Sequence, residues 1–300
     1  MNSPQILPAV RAAHAPRTPR TPCIPRTPRT PRTPAADAAW RELHDTACAP
    51  YRSVGAFTWH FARGKLGHDP AFRSLLERGD LPPNARVLDI GCGQGLLASL
   101  LATIDRAARQ GRWPPSWPAA PVGARYHGIE LMARDVARAE SALVALDPAP
   151  KFVCTDMCQA ELPPCDVVVI LDVLHYVDHA AQDALLVRVR DALSLGGRLL
   201  LRVGDAANRR GFAASQWVDR IVTLTRGHRV PPTFGRPLSA WIAQLRRLGF
   251  AVEAVPMSQG TPFANVLLVA DRLPTEPRPA PHRTAADGGS ARCAPTMSEN

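Results

Sequence analysis

The sequence predicts an α/β domain built around a doubly wound, mostly parallel sheet. A short apolar strand at 87–90 runs into a turn of alternate glycines and then into a helix that reaches about residue 107. Farther on, segments with strand and helix periodicity alternate, and residues 165–177 form the almost unbroken apolar run of a strand buried on both faces. The pattern finishes with two strands joined by a loop alone, at 251–257 and 265–270.

The central motif is VLDIGCGQGLL at 87–97. Gly91, Gly93 and Gly95 have no Cβ, so a ligand can pass close above this backbone. Asp89 stands at the carboxyl end of the strand, where open α/β sheets bind their ligands. A carboxylate there would repel a phosphate, whereas a ligand that carries positive charge or hydroxyl groups would accept it. The alternative is an ordinary strand-to-helix turn.

The pattern strand–Asp–x–Gly–x–Gly–x–Gly resembles the S-adenosylmethionine site of the class I methyltransferases. The resemblance covers about 38–271. It implies a Rossmann-like, seven-stranded sheet with an antiparallel last strand, S-adenosyl-L-methionine as cofactor, and methyl transfer as activity. Residues 59–66 and the QWVDR segment also look like small-molecule methyltransferases encoded near bacterial aryl polyene and fatty-acid-like pathways. The chain lacks the Asn/Asp-Pro-Pro-Tyr/Phe run of amino-directed nucleic-acid methyltransferases.

The ends of the next two strands supply further candidates for cofactor binding. Once the Pro- and Gly-rich insertion at 110–124 is discounted, Glu130 falls at the spacing expected for an acid that accepts both ribose hydroxyls. The adjoining Leu131 is a further candidate for cofactor binding. A helix-capping acid is the alternative for Glu130. The resemblance implies that Asp156 bonds the adenine amino group and that the backbone N–H of Met157 reaches a ring nitrogen.

Charged and aromatic residues near the same sheet edge complete the candidate site. Asp172 ends the fourth strand and is expected at the cofactor, while His175 and Tyr176 follow it and are expected at the acceptor. His175 is the candidate proton acceptor, and a helix-capping or packing role is its alternative. The resemblance implies that helices ahead of the motif meet the methionine carboxylate with a basic side chain. Arg63 and Lys65 are the local candidates, or else solvated charges.

The acceptor is expected to be a small apolar molecule of aryl or acyl type, either free or tethered to a carrier. We expect residues 38–80 to form a lid and residues 211–227 an amphipathic cap helix. The cap would offer a wall of apolar and aromatic side chains, namely Phe212, Trp217, Ile221 and Leu224.

Composition sets the domain limits. Residues 1–37 contain an Arg-Thr-Pro repeat and carry six Arg and one Asp, so much of the net charge of +10 lies in an arm predicted to be disordered, as is the tail at 272–300. The methyltransferase-like domain would span 38–271, whose mild charge does not indicate nucleic-acid binding. No apolar run approaches 18 residues and the cysteines form no disulfide framework, so we expect a cytoplasmic protein without a membrane span.

Two other functions are considered. An NAD(P)-dependent oxidoreductase would need glycine at position 96, which is Leu96, and has no use for Asp89 beside a pyrophosphate. A non-catalytic protein that binds a cofactor or a partner is the second alternative. No metal is expected, because Cys154, Cys158 and Cys165 lack paired spacing and a nearby histidine.

Overall fold

The computed structural model describes residues 33–204, 233–257 and 265–274. Within these ranges the strands are β1 (Arg86–Ile90), β2 (Arg125–Glu130), β3 (Lys151–Cys154), β4 (Cys165–Leu171), β5 (Leu193–Gly204), β6 (Phe250–Pro256) and β7 (Asn265–Arg272). The α-helices are α1 (Pro34–Cys48), α2 (Ala56–His68), α3 (Pro70–Arg78), α4 (Leu96–Arg109), α5 (Ala133–Leu143), α6 (His179–Ala192) and α7 (Leu238–Arg247). Short 3₁₀ helices lie at Ala49–Arg52 and Leu174–Tyr176.

The strands form one seven-stranded sheet in the order β3-β2-β1-β4-β5-β7-β6. β7 runs antiparallel to both of its neighbours, and the remaining pairs are parallel. The predicted α/β class, with its antiparallel last strand, is therefore confirmed. Chain order reverses between β1 and β4, and such a reversal opens a crevice at the carboxyl ends of the two strands.

Helices cover both faces of the sheet. Because side chains alternate along a strand, Val167 and Val169 of β4 pack in one apolar core, which includes α1 and α4. Val168 and Ile170 pack in the other core, which includes α6 and α7. This two-sided burial explains the nearly continuous apolar sequence of β4.

The first helix begins earlier than the sequence suggested. α1 starts at Pro34 rather than at residue 38, because proline suits the first turn and the Thr33 hydroxyl accepts a hydrogen bond from the Ala36 N–H at 3.1 Å. The last residues of the predicted disordered arm are therefore helical. Residues 1–32 lie outside the described residues.

Gly196 and Gly197 do not end the helix that follows β4, although a glycine pair at this place is typical of a helix stop. α6 ends at Ala192, and β5 begins immediately and contains both glycines. A Cβ at Gly197 would lie 2.8 Å from the Ser194 carbonyl oxygen and 3.0 Å from that of Asp166. The glycine therefore permits a close backbone approach at the start of β5 and does not cap a helix.

The segment 110–124 contains no helix or strand, as expected, yet it packs tightly. Trp117 is buried, and its ring meets that of Trp113 edge-on with centroids 5.1 Å apart. The Trp113 indole N–H donates to the Pro118 carbonyl at 2.8 Å. Aromatic burial thus compensates for the lack of regular structure.

Some predictions fall outside the described residues. These include the cap helix at 211–227 with Phe212, Trp217, Ile221 and Leu224, and the tail beyond residue 274. Among the helices that are described, none has the length and apolar character needed to cross a membrane. The described ranges likewise contain no group of three or more His, Cys, Asp or Glu residues that could hold a metal ion.

Candidate active site

The turn between β1 and α4 has one open position and two packed ones. Gly91, Gly93 and Gly95 all have positive φ, at 78°, 55° and 71°. A Cβ at Gly91 would lie 2.5 Å from the Val173 side chain, and one at Gly95 would lie 2.7 Å from Phe152. A Cβ at Gly93 would meet nothing within 4 Å. Gly93 therefore faces open space, while its neighbours allow the turn to pack against β3 and the loop after β4.

Glu130 ends β2 directly beside this open position. Its carboxylate accepts hydrogen bonds from the Gly93 N–H at 2.8 Å and the Met132 N–H at 2.9 Å, one on each oxygen. Burial raises the pKa of Glu130, and these backbone donors offset only part of the rise. Each oxygen keeps a lone pair for a further donor. The adjacent Leu131 is 64% exposed and offers an apolar surface next to the acid.

Asp89 lies beneath the turn instead of on its open surface, since only 6% of it is exposed. The Tyr126 hydroxyl donates to its carboxylate at 2.6 Å. Burial raises the pKa of Asp89 to about 7, against the effect of the Tyr126 hydrogen bond and with a contribution from the charge of Glu130. Tyr126 was not predicted, because only the register shows that it pairs with Val87, two residues before Asp89.

Asp156 and Met157 follow β3 and are both half-buried. One carboxylate oxygen of Asp156 accepts from the Cys158 N–H at 2.8 Å, which stabilises the turn. Arg188 of α6 donates to the carbonyls of Met157 at 3.2 Å and Cys158 at 2.8 Å. This turn is therefore fixed from two sides at the sheet edge beside β2.

Lys65 and Asp172 meet in a cluster of four charged side chains. Lys65 Nζ lies 2.7 Å from Asp69 and 3.6 Å from Asp172. The buried guanidinium of Arg202, on β5, donates to both Asp69 and Asp172. Burial alone would raise the pKa of both acids, but Arg202 and Lys65 hold the two pKa values below their usual range. We call these residues the charge quartet. Sequence reasoning missed Asp69 and Arg202 as site residues.

Arg63 points away from the quartet. Residues two apart on a helix do not face the same side, so Arg63 and Lys65 diverge on α2. Arg63 pairs with Asp45 of α1 at 2.7 Å, and its guanidinium lies 5.4 Å from the centre of the Trp59 ring. It lines an open groove of about 580 Å³ between α1 and α2, which also includes Trp40, Arg41, His44, His60 and His68.

His175 and Tyr176 lie in the 3₁₀ helix after β4, with ring centroids 4.2 Å apart. Both residues are half-buried, and the Nε2 atom of His175 is itself buried. The His175 carbonyl accepts from the Phe234 N–H at 2.8 Å. The fully buried Gln182 directs its amide nitrogen at the carbonyls of Phe234 and of residues 174 and 177, at 2.8 to 3.2 Å. Because Val173 packs on Gly91, this loop stands beside the glycine turn.

The family is decided by a sequence profile described as Methyltransferase domain, which matches residues 58–255. The chain belongs to this methyltransferase family. Its cofactor is S-adenosyl-L-methionine. The described residues suit this molecule, because Gly93 faces open space. The Glu130 carboxylate stands beside the exposed Leu131 side chain, a pairing that suits the hydroxyl groups and the base of a nucleoside. The charge quartet has both signs of charge, as an α-amino-acid group does. The match does not favour the oxidoreductase or the non-catalytic alternative.

One curated protein and two solved structures are similar to this chain. The ubiquinone biosynthesis O-methyltransferase of Xylella fastidiosa (strain 9a5c) is 29% identical over 196 residues, which make up 63% of this chain and 70% of that protein. An O-methyltransferase family protein from Burkholderia thailandensis is 19% identical, with a TM-score of 0.52. The alignment covers 75% of this chain and 63% of the Burkholderia chain. The S-adenosylmethionine-dependent methyltransferase SibL, in its apo form, is 17% identical, with a TM-score of 0.51. The alignment covers 80% of this chain and 70% of the SibL chain. The two structures share the fold of this methyltransferase.

Proposed function

We propose that this methyltransferase transfers a methyl group to a hydroxyl oxygen on an apolar small molecule of aryl or acyl type, with His175 as the proton acceptor. The observation that carries the proposal is the loop after β4, in which His175 and Tyr176 are held beside the glycine turn. The name of the Xylella relative, an O-methyltransferase of ubiquinone biosynthesis, supports a hydroxyl acceptor on an apolar ring.

The cofactor would lie along the carboxyl edges of β1 to β4. Gly93 would leave space for it, and Glu130 would accept its ribose hydroxyls while Leu131 packs on the adenine. Asp156 and the Met157 N–H would bind the adenine edge. When bound, S-adenosylmethionine supplies a methyl group already activated on a sulfonium.

Lys65 and Asp172 would bind the methionine end of the cofactor, with opposite charges for its carboxylate and ammonium groups. Arg63 would first have to leave Asp45, so Lys65 is the better placed of the two basic candidates. Asp89 would support the turn from below through Tyr126.

His175 would accept the proton that the acceptor hydroxyl releases as its oxygen is methylated. General-base assistance of this kind contributes roughly 10²–10⁴-fold to a rate. Tyr176 would offer an aromatic surface to the acceptor, which suits an aryl ring better than a polyanion. The acceptor is proposed to be free or tethered to a carrier.

The proposal is tested with methyl-labelled S-adenosylmethionine and a panel of hydroxylated aryl and acyl compounds together with their amino analogues, with products identified by mass spectrometry. With the best acceptor, we expect His175→Gln to reduce turnover by roughly 10²–10⁴-fold while cofactor affinity stays unchanged. Tyr176→Phe is the matched control, which keeps the ring and removes only a hydroxyl. Unchanged turnover in His175→Gln would contradict the base role, and labelling of amines alone would contradict O-methylation.

A further inference from the structure

We propose that Arg202 is a positioning residue that builds the subsite for the α-amino-acid end of the cofactor. It acts through the other members of the charge quartet, and nothing requires it to touch the ligand. The inference rests on the proposed placement of the methionine end at Lys65 and Asp172.

Arg202 is buried with 2% of its side chain exposed, at the end of β5. Its Nε lies 2.8 Å from one oxygen of Asp172, and its Nη2 reaches the other. The same guanidinium donates to both oxygens of Asp69, with Nη2 at 2.6 Å. One planar fork therefore fixes two carboxylates that come from different parts of the chain, a geometry that lysine cannot reproduce.

The quartet has a buried half and an exposed half. Arg202 and Asp69 are the buried pair, with 2% and 8% of their side chains exposed. Lys65 and Asp172 are 37% and 28% exposed, and their charged atoms lie 3.6 Å apart. Lys65 has three N–H donors, of which Asp69 takes one. The accessible surface thus presents one cation and one anion side by side, as a zwitterionic α-amino acid requires.

Arg202 also maintains an uncommon backbone conformation. Asp172 has φ of 61°, in the left-handed region that non-glycine residues rarely adopt. Two hydrogen bonds from Arg202 hold its carboxylate there, and its own N–H points to the Arg202 carbonyl at 3.4 Å. Without the guanidinium, the direction of Asp172 and the position of Lys65 relative to it would no longer be fixed.

The same strand provides a matched control. Arg198 lies four residues before Arg202 on β5 and also joins two acids, Asp271 at 2.7 Å and Asp80 at 3.2 Å. It sits at the opposite end of the strand pairing from the quartet. Arg198→Lys should therefore reduce stability without altering the cofactor subsite.

The experiment compares the full-length wild type, Arg202→Lys and Arg198→Lys by thermal melting without ligand and by calorimetric binding of two probes. The probes are S-adenosylmethionine and 5′-methylthioadenosine, which lacks the amino-acid group. We expect both substitutions to lower the melting temperature. Only Arg202→Lys should weaken S-adenosylmethionine binding, by about tenfold or more, since hydrogen bonds to charged groups are involved. Binding of 5′-methylthioadenosine should change little.

Asp69→Asn is the second variant, because asparagine keeps the cap of α3 that Asp69 provides to the Ala71 N–H. It should also weaken the binding of S-adenosylmethionine and leave the binding of 5′-methylthioadenosine nearly unchanged. If Arg202→Lys does not fold, Asp69→Asn alone serves as the test. Equal loss of both probes, or unchanged S-adenosylmethionine affinity in both variants, would overturn the inference. No acceptor is present in these measurements, so failure to methylate any hydroxyl would contradict the proposed function and leave this result unaffected.

Discussion

At the scale of single residues, burial changes the chemistry of the glycine motif at Asp89. Its pKa is about 7 in the folded protein because it is enclosed beneath the turn, whereas an aspartate in an unfolded chain has a pKa of about 3.9. Between these pH values the folded state binds one more proton than the unfolded state. The contribution of Asp89 to stability is therefore present at low pH and is lost as the pH rises from about 4 to about 7.

We predict that Asp89→Asn makes the protein progressively more stable than the wild type as the pH rises through this window. The difference in the free energy of unfolding should be small near pH ~4 and approach about 4 kcal/mol above pH ~7. Denaturant unfolding at a series of pH values measures it. In Tyr126→Phe, the pH at which half of this stability change has occurred should be higher than in the wild type, because the Tyr126 hydroxyl stabilises the charged carboxylate of Asp89. A difference that does not vary with pH would contradict the account.

At the scale of elements, the three glycines of the turn are not equivalent. Gly91 and Gly95 are required by packing against Val173 and Phe152, whereas Gly93 faces open space. All three also adopt positive φ, so any substitution carries a backbone cost of about 1–2 kcal/mol.

We predict that Gly93→Ala folds but loses cofactor affinity, since its methyl group occupies the floor of the site. Gly95→Ala should lose more stability than Gly93→Ala, because its Cβ would lie 2.7 Å from the Phe152 ring. Melting without ligand and S-adenosylmethionine titration distinguish the two effects. Equal melting temperatures for the two variants would show that the packing at Gly95 is not limiting.

Elements defined by local pattern were predictable. The strand and glycine turn at 87–95, Glu130 at the end of β2 and the buried β4 were all read from short-range periodicity and spacing. Tyr126 and Arg202 were not, because their roles depend on which residues adjoin across strands and loops distant in sequence. The start of β5 was also missed, since Gly197 permits a close backbone contact that the sequence alone does not reveal.

At the scale of the whole molecule, buried hydrogen bonds connect the N-terminal helices to the glycine turn and to α4. The Ser99 hydroxyl of α4 donates to the Ala47 carbonyl at 2.7 Å, and the Tyr51 hydroxyl donates to the Gln94 carbonyl at 2.9 Å. Trp40 of α1 is buried in the same core. The segment 38–80, which the sequence predicts to be a lid, therefore contributes to the core.

We predict that removal of residues 1–32 leaves melting temperature and cofactor affinity unchanged, because the composition of this arm offers little apolar surface to bury. Removal of residues 1–39 should instead be destabilising. It deletes the Thr33 cap and the 2.6 Å ion pair between Asp37 and Arg73. A cap alone is worth about 1 kcal/mol. Loss of cofactor binding in the shorter truncation would assign the arm a role that its composition does not indicate.

Glu130 and the open position above Gly93 are proposed to bind S-adenosylmethionine. Thermal melting of the wild type and Glu130→Ala with S-adenosylmethionine, and separately with NAD, tests this proposal most directly. At a hundredfold excess over its dissociation constant, S-adenosylmethionine should stabilise the wild type by about 2.7 kcal/mol, and Glu130→Ala should remove most of that effect. A melt that S-adenosylmethionine leaves unchanged while NAD raises it, or full stabilisation of Glu130→Ala, would contradict the account.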